Sequence, residues 1–194
     1  MSHARHPEPM DLSDFLAWEA RQEFKHEFDG FGPVAMTGGT AAHSLIQRNL
    51  AISVGGRLRG QACVFHGNDL KIEVAGSIRS PDGFVICTPV PPRATVVRDP
   101  VVIFEVLSDS TSGTDRITKN HEYAATPSVR RYVMPEQDRI AATVFDRGGG
   151  DWAGHLLPGD ATLAMPEIGI ELPLAELYQG IDFTGTAADG GGTP

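Results

Sequence analysis

The order of apolar and polar residues predicts two helices at the start of the chain. Residues 11–24 carry apolar side chains near helical spacing behind the capping candidates Asp11 and Ser13, so an amphipathic first helix is expected there. The sequence FDGFGP at 28–33 predicts a turn. A second helix with a mostly apolar face is expected over 40–58.

The pattern that follows is typical of strands. Extended segments are predicted at 62–66, 69–75 and 82–87, separated by Gly67-Asn68 and by a loop at 76–81. The run VVIFEVL at 101–107 is too continuously apolar for a surface strand, so we expect it in the centre of the sheet. A helix is expected over 113–125, with strands near 129–134, 140–146 and 152–157. The order of elements indicates an α/β (α+β) fold.

The length and composition of the chain suit one domain. A chain of 194 residues with 41% hydrophobic content can build one compact core of ordinary size. We therefore expect a single domain over residues 11–184. Residues 1–10 are expected to be a flexible N-terminus, and the Gly-rich stretch 185–194 is expected to be a disordered tail.

The charge balance limits the classes of function. Sixteen Lys and Arg against 25 Asp and Glu give a net charge of -9, which argues against a large DNA-binding footprint. A nuclease is still allowed, because a divalent metal held by carboxylates supplies positive charge that this count ignores.

Cys63 and Cys87 lie in apolar segments without paired spacing and are expected to be reduced core residues. Neither a secretory signal nor a membrane span is visible, so a cytoplasmic location is expected.

Two carboxylates carry the candidate chemistry. Glu105 lies within the central apolar strand, where a charge is costly unless a cation, a proton or hydrogen bonds compensate it. Asp82 stands at the head of another apolar strand and could enter the same region. Two converging carboxylates form a hard-oxygen site suited to Mg²⁺ or Mn²⁺. The structural alternatives are an ion pair for Glu105 and an ordinary Pro-Asp turn for Asp82.

The acidic pair is part of a wider pattern that resembles a known family. The segments that carry it include HEFDG at 26–30, MTGGT at 36–40 with His43, DLK at 69–71, PD at 81–82, FEVLS at 104–108 and Lys119. Together with residues near 123–139 they cover roughly residues 11–157. The chain thus resembles the bacterial Uma-two family of the PD-(D/E)xK restriction-endonuclease superfamily. This resemblance implies a restriction-endonuclease-like fold, with a central mixed β-sheet flanked by helices.

The resemblance also assigns roles to particular residues. It implies that Asp82 and Glu105 are the acidic pair, while the usual lysine position two residues after the second acid is occupied by Leu107. Lys119 matches the place to which the family's lysine is thought to have moved. Lys71 is the competing cation, because it shares a strand face with Asp69.

Three further residues are candidates for the same site. Glu27 and Asp69 could be additional metal-binding acids, and His43 could bind phosphate or water. Each also has a simpler interpretation: Glu27 as a solvated acid, Asp69 as a loop cap and His43 as a packing or capping residue.

The leading hypothesis is metal-dependent hydrolysis of DNA by an endonuclease, in which Asp82 and Glu105 bind Mg²⁺ or Mn²⁺ and Lys119 or Lys71 stabilises charge on the phosphate. The alternative is a non-catalytic binding or assembly module that keeps the nuclease fold. A third possibility is hydrolysis of a smaller phosphoester. A homodimer is expected, since nucleases of this superfamily often pair to cut two strands.

Overall fold

The computed structural model describes residues 10–36, 38–107, 115–148 and 150–183. Its helices are α1 (Leu12–Glu19), α2 (Ala41–Arg57) and α3 (Asn120–Ala125), and a π-helical turn (Asp115–Lys119) leads directly into α3. No helix in these ranges is long and apolar enough to cross a membrane.

Within the described residues, the strands are short and fall into three sheets. They are β1 (His26–Phe28), β2 (Pro33–Ala35), β3 (Val64–Gly67), β4 (Lys71–Val74), β5 (Ser77–Arg79), β6 (Gly83–Ile86), β7 (Val96–Val97), β8 (Pro100–Phe104), β9 (Arg131–Pro135), β10 (Ala141–Asp146), β11 (Ala153–Pro158), β12 (Thr162–Met165) and β13 (Ile170–Pro173). Short 3-10 turns follow at Pro166–Ile168 and Leu174–Tyr178.

The largest sheet has six strands in the order β11-β10-β9-β8-β6-β3. It is mixed, because β8 and β9 run parallel while the other neighbours are antiparallel. The prediction of a central strand is confirmed, since β8 lies between β9 and β6 and three of its five residues are fully buried. A strand buried on both faces needs a continuous apolar sequence, which β8 has.

Helices cover both faces of this sheet. On one face, α2 buries Ile46, Leu50 and Val54, which recur every four residues and therefore share one side of the helix. On the other face, the ring of Tyr123 from α3 meets that of Tyr132 edge-on, with 4.8 Å between ring centroids. The sheet is thereby placed in the centre of the molecule, with a helix near each face of β6 and β8.

A second sheet of five strands, in the order β2-β1-β5-β4-β7, was not expected from the sequence. The segment 76–81, predicted as a loop, contains β5 instead. The turn between β4 and β5 consists of Ala75 and Gly76, both at positive φ (47° and 84°), and this conformation suits a two-residue hairpin. Helix α1 packs on this sheet through Phe15, whose ring stacks on Phe28 at 5.1 Å.

The predicted elements are found with shifted ends. Helix α2 and the strands predicted near 62–66, 69–75, 82–87, 129–134, 140–146 and 152–157 are confirmed, whereas α1 ends at Glu19 rather than near residue 24. Residues 1–9 of the flexible N-terminus predicted at 1–10, the tail at 185–194 and the start of the helix predicted at 113 lie outside the described residues.

The prediction that Cys63 and Cys87 are reduced is wrong for this structure, because a disulfide joins them. Cys63 precedes β3 and Cys87 follows β6, and the register that pairs Val64 with Ile86 brings the two cysteines opposite each other. The sequence gives no sign of this register, and so the pairing could not be predicted.

Candidate active site

The register of the two central strands β6 and β8 determines where the candidate site lies. Asp82 immediately precedes β6 and Glu105 immediately follows β8. Gly83 pairs with Phe104 in this antiparallel ladder, so the next pair outward consists of Asp82 and Glu105. Residues opposite each other lie on the same face of a sheet, and like charges in such positions repel. The structure therefore brings the two predicted acids together at a place where their charges need compensation.

Asp82 is surrounded by hydrogen-bond donors. Its Oδ1 accepts a hydrogen bond from Gln47 Nε2 at 2.6 Å and lies 2.9 Å from His43 Nε2. Its Oδ2 accepts from the backbone N–H of Val106 at 2.6 Å. His43 and Gln47 are four residues apart and thus lie on one side of α2. Helix α2 and strand β8 together fix the orientation of this carboxylate.

Glu105 is held from the opposite side by the segment that includes α3. Its Oε1 accepts hydrogen bonds from Lys119 Nζ and from the hydroxyl of Tyr123, both at 3.0 Å. Burial and the negative charge of Glu105 raise the pKa of Tyr123 well above its ordinary value. The phenol therefore stays protonated and donates a hydrogen bond to Glu105. Lys119 is the last residue of the π-helical turn, an irregularity that is frequent at functional sites.

Lys119 also links Glu105 to Glu27. The Lys119 ammonium lies 3.3 Å from Glu27 Oε1, which accepts the backbone N–H of Ser80 at 2.9 Å. Arg79 contacts Glu27 at 3.2 Å and binds Glu122 with two nitrogens at 2.6 and 2.7 Å. Burial works to lower the pKa of Arg79, but the hydrogen bond to Glu122 and the charges of both glutamates raise it overall. The guanidinium thus remains charged and fixes Glu27.

Several of these residues line one cavity of about 420 Å³, called here the acidic cavity. Its lining includes Glu27, His43, Ser80, Asp82, Glu105 and Lys119. The residue Ser80 is 3% exposed, and its Oγ has no hydrogen-bond partner among the described residues. A buried hydroxyl without a partner is costly, so Ser80 Oγ stands out among the polar groups near the cavity.

The donor chemistry of the acidic cavity fits a magnesium or manganese ion. Asp82 and Glu105 offer hard carboxylate oxygens. Within the described ranges, no group of three or more His, Cys, Asp or Glu side chains is arranged to hold a metal. Magnesium usually keeps several waters and binds proteins through one or two carboxylates, so the pair is a sufficient anchor.

Two of the predicted site residues do not reach the acidic cavity. Lys71 lies on β4 of the five-stranded sheet, and its ammonium is paired with Glu19 of α1. The side chain of Asp69 is 94% exposed and pairs with Lys25. Lys71 was expected at the site because it shares a strand face with Asp69, but the β4–β5 hairpin assigns β4 to the other sheet, where Lys71 pairs with Glu19 of α1.

Gln47 and Ser80 belong to the site but were missed from the sequence. Gln47 could have been found from its position four residues after His43 on the same predicted helix. Ser80 carries no such signal, because its importance depends on burial and on the lack of a hydrogen-bond partner.

The comparisons with known proteins agree with this architecture. The chain has the restriction-endonuclease-like fold: a crystal structure of a protein titled a "putative nuclease belonging to DUF820", from Anabaena variabilis ATCC 29413, superposes with a TM-score of 0.72. The two proteins are 20% identical, and the match covers 88% of this chain and 98% of the other.

The family is identified by a sequence model. Residues 12–175 match the model of Uma2, described as "Putative restriction endonuclease", and the chain belongs to this family. The "Uncharacterized protein slr1290" of Synechocystis sp. (strain ATCC 27184 / PCC 6803 / Kazusa) is 30% identical over 174 residues, with 88% of this chain and 92% of that protein covered.

Replacing Lys119 by methionine is expected to destabilise the fold by about 3–5 kcal/mol, because Glu105 and Glu27 would stay buried without their shared ammonium. The matched control is Lys25→Met, which breaks the exposed pair with Asp69 and should cost less than about 1 kcal/mol. Denaturant unfolding of both variants measures the difference. Equal losses of stability would contradict the compensating role of Lys119.

Proposed function

We propose that this protein is a metal-dependent endonuclease that hydrolyses phosphodiester bonds in DNA, with Asp82 and Glu105 as the ligands of Mg²⁺ or Mn²⁺. The observation that carries the proposal is that these two carboxylates flank the last residue pair of the β6–β8 ladder and line one cavity with Lys119. Membership of the Uma2 family supports the reaction class and the use of a divalent metal.

The metal, when bound, would polarise a phosphate oxygen and lower the pKa of a bound water. His43 and Gln47 orient the carboxylate of Asp82, and Tyr123 orients that of Glu105. Lys119 carries a positive charge at the wall of the acidic cavity and can stabilise negative charge that develops on the phosphate. Glu27 helps to hold Lys119 in place, since its Oε1 lies 3.3 Å from the ammonium.

DNA is proposed as the substrate from the family and from the chemistry of the site. The net charge of -9 means that attraction to a polyanion must come from the bound metal, Lys119 and local cations rather than from the whole surface.

We further propose that the protein acts as a homodimer, because cutting both strands of a duplex takes two such sites. A cytoplasmic location stays a prediction.

Ser80 is proposed as a further residue of the active site that positions the substrate. Its hydroxyl is buried in the wall of the acidic cavity without a partner among the described residues, while its backbone N–H holds Glu27. A phosphate oxygen or an attacking water in the cavity could satisfy this hydroxyl.

A plasmid-cleavage assay tests the proposed function. Wild type is expected to nick or cut supercoiled plasmid with magnesium or manganese and not with chelator. Asp82→Asn and Glu105→Gln should each lower the rate on the order of 10³-fold, equivalent to several kcal/mol of lost stabilisation. Asp69→Asn is the matched control, because its carboxylate is exposed outside the acidic cavity, and it should cut at the wild-type rate.

Cutting that survives in identically purified Asp82→Asn and Glu105→Gln would exclude these residues as the site. If wild type cuts no DNA with either metal, the proposed endonuclease activity is wrong. A non-catalytic module that binds DNA or a protein partner would then be the better reading of the fold.

Ser80→Ala tests the positioning role. This substitution should leave the free energy of unfolding unchanged or slightly increased, since it removes an unpaired buried hydroxyl. It should lower kcat/KM for plasmid cleavage about 10-fold to 100-fold, because one hydrogen bond to a charged group of the substrate would be lost. Ser128→Ala is the control, because that serine also has a buried hydroxyl without a partner among the described residues but does not line the cavity. If the two variants have the same activity, Ser80 has no positioning role.

A further inference from the structure

A second cavity continues from the acidic cavity along helix α2. It has a volume of about 520 Å³ and shares Ser44, Gln47, Asn68 and Asp82 with the lining of the first. A ligand with a reacting group near Asp82 could therefore extend into it without crossing a wall. We call this second cavity the arginine groove.

The helical wall of the arginine groove is a stripe of α2 and the residues just after it. The stripe recurs every three or four residues and therefore forms one side of the helix: Ser44, Arg48, Ala51, Gly55 and Arg59. Phe65, Gly67 and Asn68 form the opposite wall. Small residues at 51 and 55 keep the middle of the groove open, and arginines stand on either side of them.

The arginines make the groove locally positive in a chain of net charge -9. Arg59 is exposed, and within the described ranges its side chain forms no ion pair. Arg48 donates to Asn49 Oδ1 and to the carbonyl of Gln179, so its described partners are uncharged. In contrast, Arg57 is neutralised by a two-fold hydrogen-bonded pair with Glu176 on another side of the helix.

The acidic side of the groove lies at its junction with the active site. Among the described residues that line it, Asp82 is the one carboxylate. The polarity thus changes from the carboxylate of Asp82 to the guanidinium groups of Arg48 and Arg59, neither of which has an ion pair within the described residues. Guanidinium groups bind phosphate oxygens through paired hydrogen bonds.

We propose that the arginine groove binds the sugar-phosphate backbone of the substrate strand beside the phosphate that is cut, with Arg48 and Arg59 contacting phosphates that lie several nucleotides apart. This inference rests on the proposed function and adds the route that the substrate DNA strand takes across the surface of the protein. From Arg48 to the end of α2 at Arg57 the helix rises about 14 Å, which equals the axial rise of about four nucleotides in B-DNA. The groove is thus long enough to contact several phosphates of one strand.

DNA binding in the absence of cleavage tests the proposal. Binding of a fluorescein-labelled DNA duplex is measured by anisotropy in chelator over a series of potassium chloride concentrations. Arg59→Gln should weaken binding about 10-fold at low salt and reduce the slope of log K against log salt by about one. Arg59→Lys should retain most of the slope, because it keeps the charge.

Arg93→Gln is the matched control, because Arg93 is also an exposed arginine but does not line the groove. It changes the net charge by the same amount and should leave affinity and slope close to the wild-type values. In the plasmid assay, Arg59→Gln should raise KM with little change in kcat, as expected for loss of a contact made equally in the bound substrate and the transition state.

The outcomes separate this inference from the proposed function. If wild type binds and cuts DNA while Arg59→Gln and Arg93→Gln behave alike, the path through the groove is wrong and the nuclease site stands. If wild type cuts plasmid with metal but binds the duplex with no salt dependence, the groove proposal is also overturned. Absence of both binding and cutting would overturn the two proposals together.

Discussion

The cross-strand pairing of Asp82 with Glu105 is the constraint on which the rest of the site depends. The register of β6 and β8 places two carboxylates at the same end of two neighbouring central strands, where repulsion and desolvation both oppose folding. Elements on both sides compensate this cost: α2 supplies donors to Asp82, and Lys119 with Tyr123 supplies donors to Glu105. Because these groups are tied to the helices, the position of α2 and α3 over the sheet also fixes the geometry of the acids.

The same arrangement explains how a chain of net charge -9 could act on a polyanion. Positive groups lie on either side of the acids at the place where a phosphate would react, with Lys119 in the acidic cavity and Arg48 and Arg59 along the groove. Acidic residues elsewhere, such as Glu176 and Glu167, are paired with Arg57 and Arg131 and so neutralise arginines outside the two cavities. Local charge, rather than the charge of the whole molecule, is what the proposed chemistry requires.

Much of this arrangement could be predicted from the sequence, but not the contacts across the fold. Glu105 was visible because a carboxylate interrupts a continuous apolar run, and Lys119 was visible through the resemblance to the Uma-two pattern. Lys71 was misplaced because the assignment of β4 to the five-stranded sheet depends on the turn at Ala75 and Gly76. The role proposed for Ser80 could not be predicted from the sequence, because the lack of a hydrogen-bond partner for its hydroxyl among the described residues is seen only in the structure.

The central claim is that Asp82 and Glu105 act as one metal site, and a double-mutant cycle on Mn²⁺ binding tests it most directly. Calorimetric titration would give the dissociation constant for wild type, Asp82→Asn, Glu105→Gln and the double variant. One shared ion predicts that either single substitution removes most of the affinity and that the second adds little, a strongly non-additive result. Additive losses, or equal Mn²⁺ affinity in all four proteins, would contradict a shared site.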